Sequence, residues 1–217
     1  MSRQPRRAKA AAMNEAGAPI VGVLLAGGLS RRMGGGDKCF RDLAGRPLIA
    51  HAIARAQPQV ATLVLNANGD AARFAAFDLP FVADSIPDHA GPLAGVLAAL
   101  EWAQANLPEA EYVASFPSDA PFFPTDLVER LHRAVVDSGA DTACARSGDR
   151  AHPVFGLWPV RHAGGLRAAM VDEDLRRVDA WTGRYRHVYV DYPSQPRDPF
   201  FNINKPADVD AAEALVG

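Results

Sequence analysis

The stretch IVGVLLAGGLSRRMGGGDK, residues 20–38, joins an apolar run to a segment of glycines and basic residues. Residues 20–26 contain no polar side chain, which is typical of a strand buried in a parallel sheet. The glycines allow backbone N–H groups to approach a ligand, and successive N–H groups bind anions. Arg31, Arg32 and Lys38 add positive charge there. The stretch therefore predicts a buried strand that leads into a phosphate-binding loop rather than an ordinary surface loop.

Two widespread glycine-rich phosphate motifs do not fit this loop. The pattern G-x-x-x-x-G-K-[ST] fails because no Gly-Lys dipeptide occurs in the chain. The dinucleotide pattern G-x-G-x-x-G fails because the loop is longer and more basic than that motif. The sequence therefore predicts a phosphate site of a different kind.

Strand-like and helix-like patterns alternate along the rest of the chain. Strands are predicted at 20–26, 60–67, 80–84, 111–117, 140–146, 153–159 and 186–192, and helices at 47–57, 69–77, 92–106, 125–139, 161–183 and 206–216. We expect Pro47 and Pro92 at first helical positions, Thr125 as an N-cap and Gly139 as a helix stop. The alternation predicts a three-layer α/β/α Rossmann-like domain with a mostly parallel mixed sheet.

The chain divides into a short tail and one domain. Residues 1–18 carry four basic residues and few side chains that could pack, and they lack the apolar core of a secretory signal. We predict a disordered N-terminal tail at 1–18 and a single domain at 19–217. With 217 residues and 48% hydrophobic content, the chain is long enough for one sizeable core.

Composition excludes several functional classes. A net charge of −2 gives no basic surface for nucleic acid, so phosphate chemistry must be local. No apolar run approaches the roughly 18 residues of a membrane span. Cys39 and Cys144 lie far apart and form no disulfide framework, which favours a reducing compartment. We therefore expect a cytoplasmic monomer.

Polar side chains follow several predicted strands. Ligands of such sheets bind beyond the carboxyl ends of the strands. Asp84 closes one strand and Asp119 follows another, where a carboxylate can hold Mg²⁺, although a turn aspartate is an alternative. Asn202 and Asn204 face the same way if their segment is extended, and their oxygens could complete a magnesium shell; an ordinary turn is the alternative. These side chains are expected at one edge of the sheet.

The combination of these motifs resembles a known family. It is similar to nucleotidyltransferases with the nucleotide-diphospho-sugar transferase fold and, within them, to the molybdenum cofactor guanylyltransferases. Ordered motifs across almost all of the 19–217 region carry the resemblance: LLAGGLSRRMGGGDK, GRPLIAHA, LVLNAN, DSIPDHAGPLAG, PSDAPFFP, HPVFGLW and FFNINKP. Two departures are the glycine triplet at 34–36 and Ser118, which is often Cys in relatives.

The resemblance implies a GTP site and its residues. Nucleotide-binding positions are Leu25, Ala26, Gly27, Gly28, Lys38, Asn66, Asp84, Asp119, Asn202 and Asn204. Lys38 is implied near the phosphates, Asn66 and Asp84 near the nucleoside, and Asp119 on GTP and Mg²⁺. A carboxylate can accept from N1–H and N2–H₂ of guanine, but the sequence leaves open whether Asp84 reaches the base or the ribose.

The family activity is the transfer of GMP from GTP to molybdopterin, which releases pyrophosphate. Since the nucleophile is an ionised phosphate, the site needs cations and alignment rather than a general base. Arg31, Arg32, Lys38 and Asp119 are the predicted catalytic residues, with Mg²⁺ on Asp119. Implied partners are GTP, molybdopterin and, transiently, molybdenum cofactor biosynthesis proteins or acceptor molybdoenzymes. Arg146, Arg150 and His152 are further candidates for contacts to the pterin.

Two other functions remain open at this point. One is a cytidylyltransferase for molybdopterin, or another small transferase of the same fold; its cytidylyl members usually carry Ala-Ala-Gly where this chain has Ala26-Gly27-Gly28. The other is a nucleotide-binding or carrier protein without catalysis, against which Lys38 and Asp119 argue.

Overall fold

The computed structural model describes residues 18–27, 38–87, 91–204, 208–209 and 212. Its strands are β1 (Ile20–Leu25), β2 (Asp42–Leu43), β3 (Arg46–Pro47), β4 (Thr62–Asn66), β5 (Phe81–Val82), β6 (Tyr112–Pro117), β7 (Thr142–Ser147), β8 (Arg150–Pro159) and β9 (His187–Tyr192). Its α-helices are α1 (Leu48–Ala56), α2 (Pro92–Asn106), α3 (Leu127–Ser138), α4 (Ala163–Asp172) and α5 (Val178–Thr182). Short 3₁₀ helices lie at Lys38–Phe40, Gln57–Gln59, Ala71–Phe77 and Val160–His162.

Seven of the strands form one sheet in the order β5-β4-β1-β6-β8-β7-β9. All neighbouring pairs are parallel except those of β8, which runs antiparallel to both β6 and β7. The exception arises because β7 and β8 form a hairpin, whose turn includes Gly148 at a φ of 54°. The predicted α/β architecture with a mostly parallel mixed sheet is confirmed.

The two faces of the sheet build two cores. Alternate residues of β1 point to opposite faces, since side chains of a strand alternate. Ile20 and Leu24 pack in a core with residues of α1 and α3, whereas Val21 and Val23 pack with residues of α2, α4 and α5. The helices therefore cover the sheet on both faces, and its carboxyl edge is left for loops.

Several local predictions need correction. Residues 71–77 form a 3₁₀ helix, capped by the Asp70 side chain and ended by Asp78 at a φ of 51°. Pro47 lies in extended backbone before α1, whereas Pro92 does begin α2. Asp126 rather than Thr125 precedes α3, with no side-chain cap.

The C-terminal third differs most from the predicted pattern. The helix expected at 161–183 is divided into a 3₁₀ turn, α4 and α5, with Asp174 at a φ of 50° between the last two. Of the predicted closing helix, Asp208, Val209 and Ala212 are helical, and all its other residues lie outside the described ranges. Residues 1–17 of the predicted tail also lie outside them. In the described ranges, no helix combines the length and the apolar character that crossing a membrane requires.

Helix α2 approaches the ends of β1 and β4 closely because Gly95 has no side chain. An ideal Cβ at Gly95 would lie 2.2 Å from Asn66 Oδ1 and 2.5 Å from Leu25 Cδ2. Neither distance is compatible with a real Cβ, so the neighbours would have to move. Gly95 thus fixes how the helix sits against the edge of the sheet where the polar residues collect.

The variant Gly95→Ala should unfold at lower urea concentration than the wild type. The new methyl group overpacks the junction, which typically costs about 1–3 kcal/mol. Gly164→Ala is the matched control, because a Cβ there meets no heavy atom within 4 Å and alanine favours α4. Equal destabilisation by both variants would contradict this account of the α2 contact.

Candidate active site

The central strands end together at one edge of the sheet. Leu25 at the end of β1 is paired in register with Asn66 of β4 on one side and with Pro117 of β6 on the other. Beyond the strands, Ala26 N donates to Asn66 O at 2.8 Å, and Ser118 N donates to Leu25 O at 3.1 Å. The residues that follow these strands are therefore held next to each other, as the sequence predicted.

Lys38, Asp119 and Asn204 meet at this edge. Lys38 Nζ donates to Asp119 Oδ2 at 2.5 Å and also to Asn204 Oδ1. The backbone joins two of these segments as well, since Ile203 N donates to Asp119 O at 2.8 Å. Three segments that are distant in sequence thus converge on one ammonium group.

The predicted magnesium ligands fit this arrangement in part. A carboxylate and an amide oxygen surround a cation, and hard oxygen donors of this kind are what Mg²⁺ prefers. Within the described part of the chain, no group of three or more His, Cys, Asp or Glu side chains could hold a metal. Asn202 is half-buried and, among the described residues, makes no hydrogen bond to Lys38 or Asp119. A bound Mg²⁺ would therefore need substrate oxygens and water besides Asp119.

A second polar group lies at the ends of β4 and β5. Asn66 is buried and its Nδ2 donates to Val82 O at 3.1 Å and to Asp84 Oδ1 at 2.9 Å. Asn68 Nδ2 donates to the other carboxylate oxygen, Asp84 Oδ2, at 2.7 Å. Sequence reasoning missed Asn68, although its spacing of two from Asn66 in LVLNAN was a usable signal. The structure thus brings Asn66 and Asp84 together, as the resemblance implied, and adds a third member.

The predicted glycine loop is described only at its start and end. Leu25 is the last residue of β1, Ala26 is buried, and Gly27 is exposed at the edge of the sheet. Gly28, Arg31 and Arg32 lie outside the described residues.

A third polar cluster joins the hairpin β7–β8 to the segment before Asn204. Ser147 Oγ donates to Asp198 Oδ1 at 2.9 Å and lies 2.7 Å from His152 Nε2. Phe200 N donates to the same carboxylate oxygen at 2.9 Å. Burial lowers the pKa of His152, while the Asp198 carboxylate opposes that shift and Arg150 adds to it. Because the Ser147 hydroxyl donates its proton to Asp198, the cluster holds two segments together and does not activate the serine as a nucleophile.

The three residues suggested for pterin contacts have different surroundings. His152 is buried in the tie to Asp198. Arg146 makes a forked pair with Asp191, Nε to Oδ1 at 2.5 Å and Nη2 to Oδ2 at 2.8 Å. Arg150 is an exposed residue at the start of β8. The structure therefore places His152 in a buried contact with Ser147 that the sequence did not indicate.

Comparison with known proteins agrees with this geometry. The profile of the MobA-like NTP transferase domain matches residues 22–188. The molybdenum cofactor guanylyltransferase of Rhodopseudomonas palustris (strain BisB5) is 55% identical over 193 residues, which are 89% of this chain and 92% of that protein. The guanylyltransferase of Bradyrhizobium sp. (strain ORS 278) is 54% identical over 196 residues, or 90% and 92% of the two chains.

Solved structures agree as well. The molybdopterin-guanine dinucleotide biosynthesis protein A from Archaeoglobus fulgidus superposes with a TM-score of 0.71 at 25% identity, over 90% of this chain and 98% of that one. Fold, site geometry and sequence identity agree, and the chain is a nucleotidyltransferase that belongs to the molybdenum cofactor guanylyltransferases of the MobA-like NTP transferase family.

Proposed function

We propose that this enzyme transfers GMP from GTP to molybdopterin, forming the guanine dinucleotide cofactor and pyrophosphate. The observation that carries the proposal is the meeting of Lys38, Asp119 and Asn204 at the same sheet edge as Asn66 and Asp84. The names of the relatives support GTP and molybdopterin as the substrates.

The reaction needs charge neutralisation more than proton transfer. A phosphate oxygen of the acceptor attacks the α-phosphorus of GTP, and the bond from that phosphorus to the oxygen bridging to the β-phosphate breaks. Both reactants are anions, so cations that stabilise the leaving pyrophosphate lower the barrier. Lys38 supplies one such cation. Arg31, Arg32 and the backbone of Gly28 would supply further contacts to the phosphates.

Asp119 would hold Mg²⁺, with Asn202 or Asn204 and the phosphates as further ligands. When bound, the ion would supply positive charge to the α- and β-phosphate oxygens. Lys38 contacts Asp119 and Asn204 directly, so a Mg²⁺ held by Asp119 and the phosphates bound to it would lie close to the Lys38 ammonium. Its role is to orient the phosphates and to offset their charge.

The nucleoside would lie over the ends of β1 and β4. Leu25, Ala26 and Gly27 would offer backbone groups to the nucleotide, while Asn66 and Asp84 would hold its nucleoside end. The negative Asp84 and the positive Lys38 lie on different strand connections. GTP would therefore bind with its base toward the acid and its phosphates toward the lysine.

The acceptor would bind in a cavity beside this edge. A pocket of about 500 Å³ is lined by Pro92, Cys144, Ala151, Pro153, Val154, Arg176, Arg177, Val178, Asp179, Thr182, His187 and Tyr189. It reaches from the start of α2 to the start of β8, both of which lie at the carboxyl edge. Aromatic and aliphatic walls suit a pterin ring, and the exposed arginines at the rim suit its phosphate.

Location and assembly remain part of the proposal. Cys39 and Cys144 are both buried and form no disulfide, which suits a reducing cytoplasm. We propose that the enzyme is a monomer and that it contacts other cofactor-biosynthesis proteins or acceptor molybdoenzymes only transiently.

Lys38→Ala and Asp119→Ala should each lower pyrophosphate release from GTP and molybdopterin by about 10²–10³-fold, by analogy with the loss of one preorganised group at a developing charge. The reason is that each variant removes one member of the charged contact. The assay measures pyrophosphate at saturating substrate and Mg²⁺.

The pair Arg161 and Asp141 provides matched controls. Arg161 Nη2 lies 2.7 Å from Asp141 Oδ1, and both residues are at the opposite edge of the sheet. Arg161→Ala and Asp141→Ala should leave turnover within about twofold, since exposed ion pairs contribute little. Near-wild-type turnover of both Lys38→Ala and Asp119→Ala would overturn the proposed chemistry.

Thermal unfolding with nucleotides separates the candidate base specificities. GTP with Mg²⁺ should raise the unfolding temperature more than CTP, UTP or ATP, because a ligand at 100 times its Kd stabilises by about 2.7 kcal/mol. A larger shift with CTP would favour the cytidylyltransferase. A GTP shift without pyrophosphate release on adding molybdopterin would favour a nucleotide-binding protein.

A further inference from the structure

We propose that Asn68 is a positioning residue that sets the selectivity for guanine by holding the Asp84 carboxylate. The inference rests on the proposed function, because it assumes that Asp84 faces the nucleoside. It adds a residue to which the sequence analysis gave no role, and it commits Asp84 to the base rather than the ribose.

Asn68 and Asp84 form a closed ring of two hydrogen bonds. Asp84 N donates to Asn68 Oδ1 at 3.0 Å, and Asn68 Nδ2 donates to Asp84 Oδ2 at 2.7 Å. The backbone N–H can only donate, so the Asn68 atom that faces it must be the carbonyl oxygen. The amide nitrogen then faces the carboxylate, and the orientation of both side chains is fixed.

Asn66 fixes the other carboxylate oxygen. Its Nδ2 uses both hydrogens, one on Val82 O at 3.1 Å and one on Asp84 Oδ1 at 2.9 Å. Its Oδ1 lies against Gly95 of α2, where a Cβ would be only 2.2 Å away. The orientation of the Asn66 amide is therefore fixed by these contacts. The carboxylate is held by one amide on each oxygen, and rotation about its Cβ–Cγ bond would break both contacts.

A carboxylate held in this way can accept two further hydrogen bonds from one ligand, as a bidentate acceptor. Each of its oxygens has accepted one hydrogen bond and keeps a second acceptor position. Both partners are neutral, so its negative charge is kept, and among the described residues no Lys or Arg forms an ion pair with it.

Guanine matches this acceptor better than the other bases. Its N1–H and N2–H₂ are two adjacent donors on one edge. Adenine and cytosine each pair one donor group with a ring nitrogen that accepts, and uracil places its N–H between two carbonyl oxygens. A carboxylate opposite those acceptors would be repelled, so a fixed Asp84 both selects guanine and rejects the alternatives.

The test compares GTP with inosine triphosphate, which lacks only the 2-amino group. Binding of each nucleotide to wild type, Asn68→Ala, Asn68→Asp and Asn106→Ala is measured by calorimetry, and pyrophosphate release is measured alongside. Asn106 is the matched control: its Nδ2 donates to Trp102 O at 2.8 Å at the far end of α2. Wild type and Asn106→Ala should bind GTP at least about tenfold more tightly than inosine triphosphate.

Asn68→Ala should reduce the ratio of the affinities for GTP and inosine triphosphate by about five- to tenfold, and it should raise the KM for GTP. The value of kcat at saturation should stay within about twofold, because the contact acts equally in the ground state and the transition state. Asn68→Asp has the same size but repels Asp84, so it should narrow the preference further. A purely structural role would instead lower the unfolding temperature and the affinity for both nucleotides equally.

An unchanged preference for GTP over inosine triphosphate in both Asn68 variants would overturn the inference. If discrimination against 2′-deoxy-GTP changed at the same time, Asp84 would contact the ribose instead. Failure of the proposed function is a separate result: wild type would bind GTP selectively but release no pyrophosphate with molybdopterin, and the binding ratios would still decide the role of Asn68.

Discussion

The site depends on one charged contact, in which the Lys38 ammonium lies between the Asp119 carboxylate and the Asn204 amide oxygen. Without a cation between them, two oxygens would face each other with nothing to balance their partial and full negative charges. The side chains of Lys38 and Asp119 keep only 16% and 23% of their exposure, so water screens the contact weakly. The Lys38 ammonium therefore offsets the negative charge of both oxygens at this edge of the sheet.

The contact also explains why remote parts of the chain are tied down. Asn204 reaches Lys38 only if the segment before it follows one path. At the start of that segment, Asp198 accepts hydrogen bonds from Ser147 Oγ and Phe200 N. Near its end, Ile203 N donates a hydrogen bond to Asp119 O. The buried His152 lies 2.7 Å from the same hydroxyl. A polar cluster that is remote in sequence from Lys38 thus positions the Asn204 amide oxygen next to the Lys38 ammonium.

Periodicity and strand ends predicted most of this architecture. The apolar run of β1 and the polar residues after the strands indicated the sheet and the placement of Lys38 and Asp119 at its carboxyl edge, but not the direct contact between them. Tertiary context decided the rest. The AARFAAF segment has helical spacing, but Asp70 and Asp78 bound it tightly and it forms a 3₁₀ helix. Asn68 was missed because its partner Asp84 belongs to another strand connection, and a single sequence does not show such pairs.

Aspartate follows two of the strands, and its surroundings differ at the two places. Asp119 meets an ammonium group, which balances its charge. Asp84 meets only amides of Asn66 and Asn68 among the described residues, which orient it without neutralising it. A lysine in place of either asparagine would cancel the charge that attracts N–H donors. Under the proposed function, asparagine at these two positions would let one edge of the sheet bind the GTP phosphates near Lys38 and the donor edge of guanine at Asp84.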